Sequence, residues 1–265
     1  MSRTQRKGGN TSPIKKYLQF SGSTGLFSYY DKEQKERVEL EELEIIVLDV
    51  RASITGFDAT SKAQITSNLI AETGTEILKV SSWKDGKSRD IAEGLYKDIK
   101  DKVKTAGGKF TTNVICLCDV TGDGLEVCNL QFQGSSLNGW INFVDTLDRG
   151  GEYDNVITIS KGALSKLDGK KFSAVTEKEE KDLDAKLKKN PRAPRPIWFY
   201  VLDFETAELT DEQVDIATEA DEELQEYFQG SASPSKSNDT EEEQEEKVQT
   251  KPADDEEEEK DDLPF

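Results

Sequence analysis

From Pro13 to about Gln133 the hydrophobic pattern reads mostly as strand. Tyr17-Leu18-Gln19-Phe20 and Leu26-Phe27-Ser28-Tyr29-Tyr30 are aromatic segments parted by a Ser/Gly turn. A longer strand is expected over Leu43–Phe57, where Ile45-Ile46-Val47-Leu48 leaves neither face polar, as in a strand covered on both sides. Shorter strands are expected over Gln64–Ile70 and Glu76–Ser82.

The period then changes. Ile91, Leu95, Ile99 and Val103 recur every fourth residue, predicting a helix over 90–106 that stops at Gly107-Gly108. Strands over 112–120 and 125–133 flank Thr121-Gly122-Asp123-Gly124, a hairpin signal. A second helix is expected over Ser136–Asp148, and strands over Asn155–Ser160 and Lys170–Val175. A charged helix over Glu177–Lys189 and a closing strand over Ile197–Phe204 complete this stretch. Thr210-Asp211-Glu212-Gln213 has the form of a capping box and opens an acidic amphipathic helix.

The pattern predicts a mainly β (α+β) chain. Five strands with a helix between the third and fourth is the order of an oligonucleotide/oligosaccharide-binding (OB) barrel, here enlarged by extra helices and strands. The expected divisions are a flexible basic arm (1–12), an OB-like body (13–204), the acidic helix (205–229) and a disordered acidic tail (230–265).

Charge sharpens that division. Residues 1–204 hold 31 basic and 30 acidic side chains, whereas the last 61 residues carry −20, slightly more than the net −19 of the whole 265-residue chain. The absence of histidine excludes Ser-His-Asp and Cys-His chemistry and any His-containing zinc site. Cys116 and Cys118 on one strand and Cys128 on its partner lack a fourth ligand, so they read as buried thiols. An odd cysteine count, no apolar leader segment and no long apolar run fit a soluble protein of a reducing cytoplasm.

Gly86-Lys87-Ser88 ends like a phosphate-binding loop, but the first glycine that motif needs is Ser81. The Asp119–Gly124 loop lacks the glutamate of a calcium loop, Leu130 standing in its place. No cofactor, metal or catalytic residue is therefore expected. What remains is a repeated association of rings with cations. Trp83 beside Lys84, Lys87 and Arg89, Tyr29-Tyr30, Lys109-Phe110, Lys170-Lys171-Phe172 and Trp198 are candidate stacking faces and phosphate contacts for a nucleic-acid strand. Of Tyr29 and Tyr30, neighbours on a strand, only one can enter a given core. A subunit interface is the other use of such surface rings.

The chain ends in Asp254-Asp255-Glu256-Glu257-Glu258-Glu259-Lys260-Asp261-Asp262-Leu263-Pro264-Phe265. This ending resembles the acidic tip of bacterial single-stranded-DNA-binding proteins, with Leu263 in place of their isoleucine, and is similar to the Phe-terminated tails of phage-encoded single-strand binders. The likeness covers the last dozen residues, and the Gln/Gly-rich linker of the bacterial family is missing, which points to a phage or viral member. It implies a non-enzymatic protein that coats single-stranded DNA during replication, recombination or repair. It also implies that Asp261, Asp262, Leu263, Pro264 and Phe265 recruit a helicase, polymerase or nuclease. A different class fits the same charge: an acidic chaperone or DNA mimic that binds basic proteins and ignores oligonucleotides.

Overall fold

A computed structural model describes residues 12–32, 34–168, 171–190 and 196–231. The architecture is mainly β, a large mixed sheet with four helices among the described residues. Its first strands are β1 (Lys16–Ser21), β2 (Leu26–Asp31), β3 (Glu36–Leu40), β4 (Glu42–Asp58), β5 (Ala63–Ser67), β6 (Leu78–Lys84) and β7 (Lys87–Gly94). Helix α1 (Tyr96–Ala106), β8 (Gly108–Cys118), β9 (Glu126–Phe132) and α2 (Gly134–Val144) follow. The chain continues through β10 (Asn155–Asp168), β11 (Lys171–Ala174), α3 (Glu177–Lys189), β12 (Trp198–Glu208) and α4 (Asp211–Ser231).

Neighbours in the sheet run β3-β2-β1-β9-β8-β4-β5-β6-β7, and β10 joins β4 on a branch with β11 and β12. The pairs are antiparallel except β1 with β9, which is parallel, Leu18 standing opposite Leu130. Charged side chains line both terminal strands (Glu36, Arg37 and Glu39 on β3; Lys87, Arg89 and Asp90 on β7), a common guard against stray edge pairing.

The apolar run in β4 is covered on both faces, as the sequence implied. Ile45 and Val47 enter the main core with Leu18, Ile54, Val114, Leu130, Phe132 and Trp140. Ile46 and Leu48 enter a second core on the opposite face with Ile115, Leu117, Val127, Val156 and Leu224 of α4. A register shift between Val47 and Asp49 relative to β8 lets the strand change its pattern from apolar on both faces to apolar on one. Beyond it, Ala52 and Ile54 face the main core while Ser53 and Thr55 face outward.

The helix expected over 90–106 begins six residues later. Asp85 and Gly86 both take positive φ (50° and 75°), the backbone of a two-residue hairpin turn, and they pair Trp83 with Ser88 and Lys84 with Lys87. Ile91 therefore belongs to β7, and only Ile99 and Val103 of the expected stripe are buried helical residues. The same hairpin removes the phosphate-loop reading, since Gly86-Lys87-Ser88 opens a strand rather than a helix. Gly107, at φ 91°, ends α1 as expected. A Cβ on Gly56 would lie 2.3 Å from the Gly107 carbonyl oxygen, so β4 can pass the helix end only as glycine.

Elsewhere the elements differ mainly in length. Glu205–Glu208 continue β12, so the acidic helix starts at Asp211, where Thr210 accepts from the Gln213 amide at 3.3 Å and Gln213 Oε1 accepts from the Thr210 amide at 3.0 Å. Helix α3 has the same reciprocal cap between Thr176 and Glu179. Lys166 of β10 donates to the Glu179 carboxylate and, with the Thr176 donors, holds its pKa down to about 2. A lowered carboxylate pKa contributes stability above the ordinary value of 4.5 that disappears as pH falls towards 2. The Glu179 carboxyl resonance is expected to titrate well below the ordinary glutamate value of 4.5, and Lys166→Ala should raise its midpoint.

Candidate nucleic-acid interface

The face of the sheet opposite the main core has three zones. Helix α4 covers the apolar zone, burying Leu224 completely. Beyond that helix the face carries exposed rings and neutral polar side chains. Register places Phe57 of β4, Gln64 of β5 and Trp83 of β6 in one row across three strands. Phe57 is 57% exposed and Trp83 49% exposed. The next row is Lys109, Thr55, Thr66 and Ser81. At the far side of the face stand Tyr17 of β1 and Tyr30 of β2, also exposed. From β6 to β1 is five strand spacings, about 24 Å along the curved sheet.

Between these two aromatic ends lies a floor of amides and hydroxyls. Gln19 Nε2 donates to Gln131 Oε1 (3.1 Å), and Gln131 Nε2 (3.2 Å) and Asn129 Nδ2 (3.1 Å) both donate to Asn113 Oδ1. Asn113 Nδ2 donates to Ser53 Oγ at 2.8 Å. Gln133 Nε2 donates to the Thr55 and Thr111 hydroxyls at 2.6 and 2.9 Å, and those two hydroxyls lie 2.8 Å apart. Thr111, Asn113, Asn129 and Ser53 are buried, Gln131 and Gln133 are half-buried, and Gln19 is exposed.

The cations of this face include Lys109, Arg51 and, opposite Tyr30, the exposed Arg37 of β3, which donates to Ser28 Oγ at 2.6 Å. Lys109 is exposed beside Thr55. Arg51, in the row of Asn113 and Gln131, bonds Asp49 through Nε at 2.8 Å and lies 3.7 Å from the Phe228 ring at the end of α4. Partial burial, with Tyr227 of α4 as a smaller contributor, raises the Tyr17 pKa.

Measured against the sequence, the candidates separate. Trp83, Tyr30 and Lys109 stand exposed on one face. Tyr29 is 5% exposed in the main core under the Lys16 ammonium (5.2 Å), so of the adjacent tyrosines only Tyr30 is available. Phe110 is likewise a core residue, packed 4.7 Å from the Tyr96 ring, because its strand alternates it inward while Lys109 points out. Neither can stack on a base.

Trp83 is not ringed by cations either. In the hairpin it shares a face with Ser88, and Lys84, Lys87 and Arg89 fall on the opposite side. There they line a cleft of about 650 Å³ together with Asp58, Asp85 and Asp90. Three carboxylates balance three cations in that cleft, and Lys84 donates to the Ser61 carbonyl. Asp58 accepts from Ser61 Oγ at 2.6 Å and from the amides of Ser61 and Thr60, which lowers its pKa and fixes the local turn. Trp198 lies on the β10–β12 ribbon in the same i, i+2 series as Leu202 and Phe204, which face the main core, so it does not join the Trp83 face. Lys170, the side chains of Lys171 and Phe172, and Asp261, Asp262, Leu263, Pro264 and Phe265 lie outside the described residues.

The sequence reading missed Phe57, Tyr17 as part of this face, and the amide floor. The i, i+2 series Ser53-Thr55-Phe57, Thr111-Asn113 and Asn129-Gln131-Gln133, each opposite an apolar series, was the signal that could have found them. The three cysteines are buried and free; Cys116 and Cys128 stand opposite each other. Donation to Cys118 and burial hold the Cys116 thiol well above the ordinary range. Among the described residues no group of acidic or thiol side chains could hold a metal ion, and no helix is long and apolar enough to cross a membrane. Compared with known proteins, the chain matches no family model, no curated protein and no solved structure.

Proposed function

We propose that this protein binds single-stranded DNA along the Trp83–Tyr17 face, acting by coating rather than by catalysis. One observation carries the reading: two pairs of exposed rings, Phe57 with Trp83 and Tyr17 with Tyr30, on one face of the sheet with uncharged polar side chains between them. Rings that accept bases by stacking tolerate any sequence and contribute about 1–3 kcal/mol per base. Lys109 and Arg51 supply the phosphate contacts.

The strand path β9-β8-β4-β5-β6 supports an OB-like origin for this face. It is the neighbour order of the five barrel strands, with α1 between the third and fourth. The barrel is opened here: the edge that would close β6 on β9 is taken by β1 on one strand and by β7 on the other. In an OB fold the face of the second and third strands is the place for a nucleic-acid strand; Gln64 and Trp83 stand on those strands, with Phe57 beside them on the first.

The resemblance of the chain's end supplies the rest of the role. Asp261–Phe265 would dock a helicase, polymerase or nuclease, the terminal carboxylate on a basic residue and the ring on an apolar wall. Residues 231–265 carry −10. Tethered at roughly millimolar effective concentration, they compete with DNA for cations of the body. The setting is replication, recombination or repair in the cytoplasm, a host's if the protein is viral.

The acidic chaperone or DNA-mimic reading draws on α4, which has acidic and no basic side chains from Asp211 to Ser231 and exposes Val214 and Ile216. One titration separates the two. Poly(dT) is expected to quench tryptophan fluorescence of the full chain, with affinity falling steeply between low and high salt. A chain ending at Gly230 should bind more tightly. Absence of quenching and of any mobility shift in both proteins would reject strand binding and favour the chaperone.

A further inference from the structure

The amide floor is polarised. Gln19, Asn113, Asn129, Gln131 and Gln133 each spend the nitrogen end of the side chain on a neighbour. On the oxygen side, Asn113 Oδ1 and Gln131 Oε1 accept from other amides, and the Gln133 side chain accepts from the Ser136 amide in the cap of α2. The exposed Gln19 donates its nitrogen to Gln131 and leaves its carbonyl oxygen open to a ligand. Asn129 Oδ1, on a side chain 2% exposed, is a buried oxygen with no partner among the described residues. A sheet face meant only for water has no need of five amides anchored through their donors to one another and to neighbouring hydroxyls. A buried carbonyl left without a donor costs about 1–3 kcal/mol, which a ligand donor would offset.

We propose that this floor reads the exocyclic amino groups of bases, so that the protein prefers amino-bearing bases, cytosine above all, to thymine. The inference rests on the single-strand reading above and adds a specificity to it. A strand lying between the two aromatic ends turns base edges towards Gln19, Gln131 and Gln133 and phosphates towards Lys109 and Arg51. Cytosine brings an N4 amino group to the Gln19 carbonyl. Thymine brings its O4 carbonyl to the same place, and two carbonyl oxygens repel. The two pyrimidines stack comparably, so the difference isolates the hydrogen bonds. Tyr17 stands directly opposite Asn129 in the parallel β1–β9 pair, so a base displacing that ring also opens the unpaired Asn129 oxygen.

The test is fluorescence anisotropy of the full chain with labelled oligonucleotides of equal length at one salt concentration: oligo(dC), oligo(dT), and oligo(dC) carrying 5-methylcytosine throughout. The last has thymine's methyl and cytosine's amino group, so it separates the two features. Both cytosine strands are expected to bind about ten-fold more tightly than oligo(dT), the effect of one or two neutral hydrogen bonds. In Gln19→Leu the dC/dT ratio should collapse to within about two-fold. Gln19 is exposed, so Gln19→Leu is expected to keep its fold, and an unchanged thermal melt checks this. A dT affinity equal to or above dC overturns the proposal, as does a ratio that survives the substitution. A methylated strand that behaves like oligo(dT) overturns it too, since shape would then be read instead. Failure to bind any of the three strands would overturn the single-strand reading itself.

Discussion

A protein carrying both Phe57→Ala and Trp83→Ala is expected to lose most of its affinity for single strands while keeping its fold. Each ring is about half exposed or more, so its removal takes little from the core. At about 1–3 kcal/mol per stacked base, two rings together are worth roughly thirty- to twenty-thousand-fold in affinity. The measurement is a poly(dT) titration read by mobility shift, since Trp83 is itself a reporter, with the melting temperature as the control for folding. Lys87→Ala, in the charge-balanced cleft on the other side of the hairpin, should change the affinity several-fold at most. Equal losses from the two proteins would move the binding surface to the cleft and remove the face described above from consideration.

The largest effect on stability is expected from Phe132→Ala. Phe132 is fully buried, ends β9, and stacks on Trp140 of α2 with ring centroids 5.4 Å apart. Trp140 in turn contacts Phe143 and Phe204, so one ring at the end of β9 anchors a helix and a distant strand. Truncating a buried phenylalanine costs about 3–5 kcal/mol through lost transfer energy and the cavity left behind. That is a large share of the roughly 5–15 kcal/mol available to an ordinary domain. Chemical denaturation should show a lower midpoint with an unchanged slope. A loss below 1 kcal/mol would mean that α2 and β12 repack over the gap.

How much of this was legible beforehand depended on which interaction decided each element. The two-sided burial of Ile45–Leu48, the Thr121–Gly124 turn, the α1 stop at Gly107 and the Thr210 cap are local in origin, and their residues announce them. Ile91 misled because a helical spacing and a strand alternation share positions, and the Asp85-Gly86 turn that decides between them acts at longer range through Trp83 and Ser88. The same error carried into the site. Reading 81–88 as a loop let Trp83 gather Lys84, Lys87 and Arg89 around it, whereas a hairpin must place alternate side chains on opposite faces. Phe110 failed for the same reason beside Lys109. Phe57 and Tyr17 were passed over because nothing in their own neighbourhood shows that β4 and β1 share a face; that follows only from the order β1-β9-β8-β4.

The parallel pairing of β1 with β9 has a consequence for the time course of synthesis. Gln19 and its partner Gln131 are 112 residues apart. A ribosome adding about 5–20 residues per second separates their emergence by roughly 5–20 s. Through that interval the β1–β3 meander has no neighbour along β1, and its apolar face lacks the layer it packs against. The amino-terminal segment is therefore among the first parts made, yet it waits for β9 before it is locked in place. The nascent chain has to be kept from pairing that bare flank with another molecule until residue 132 has left the exit tunnel.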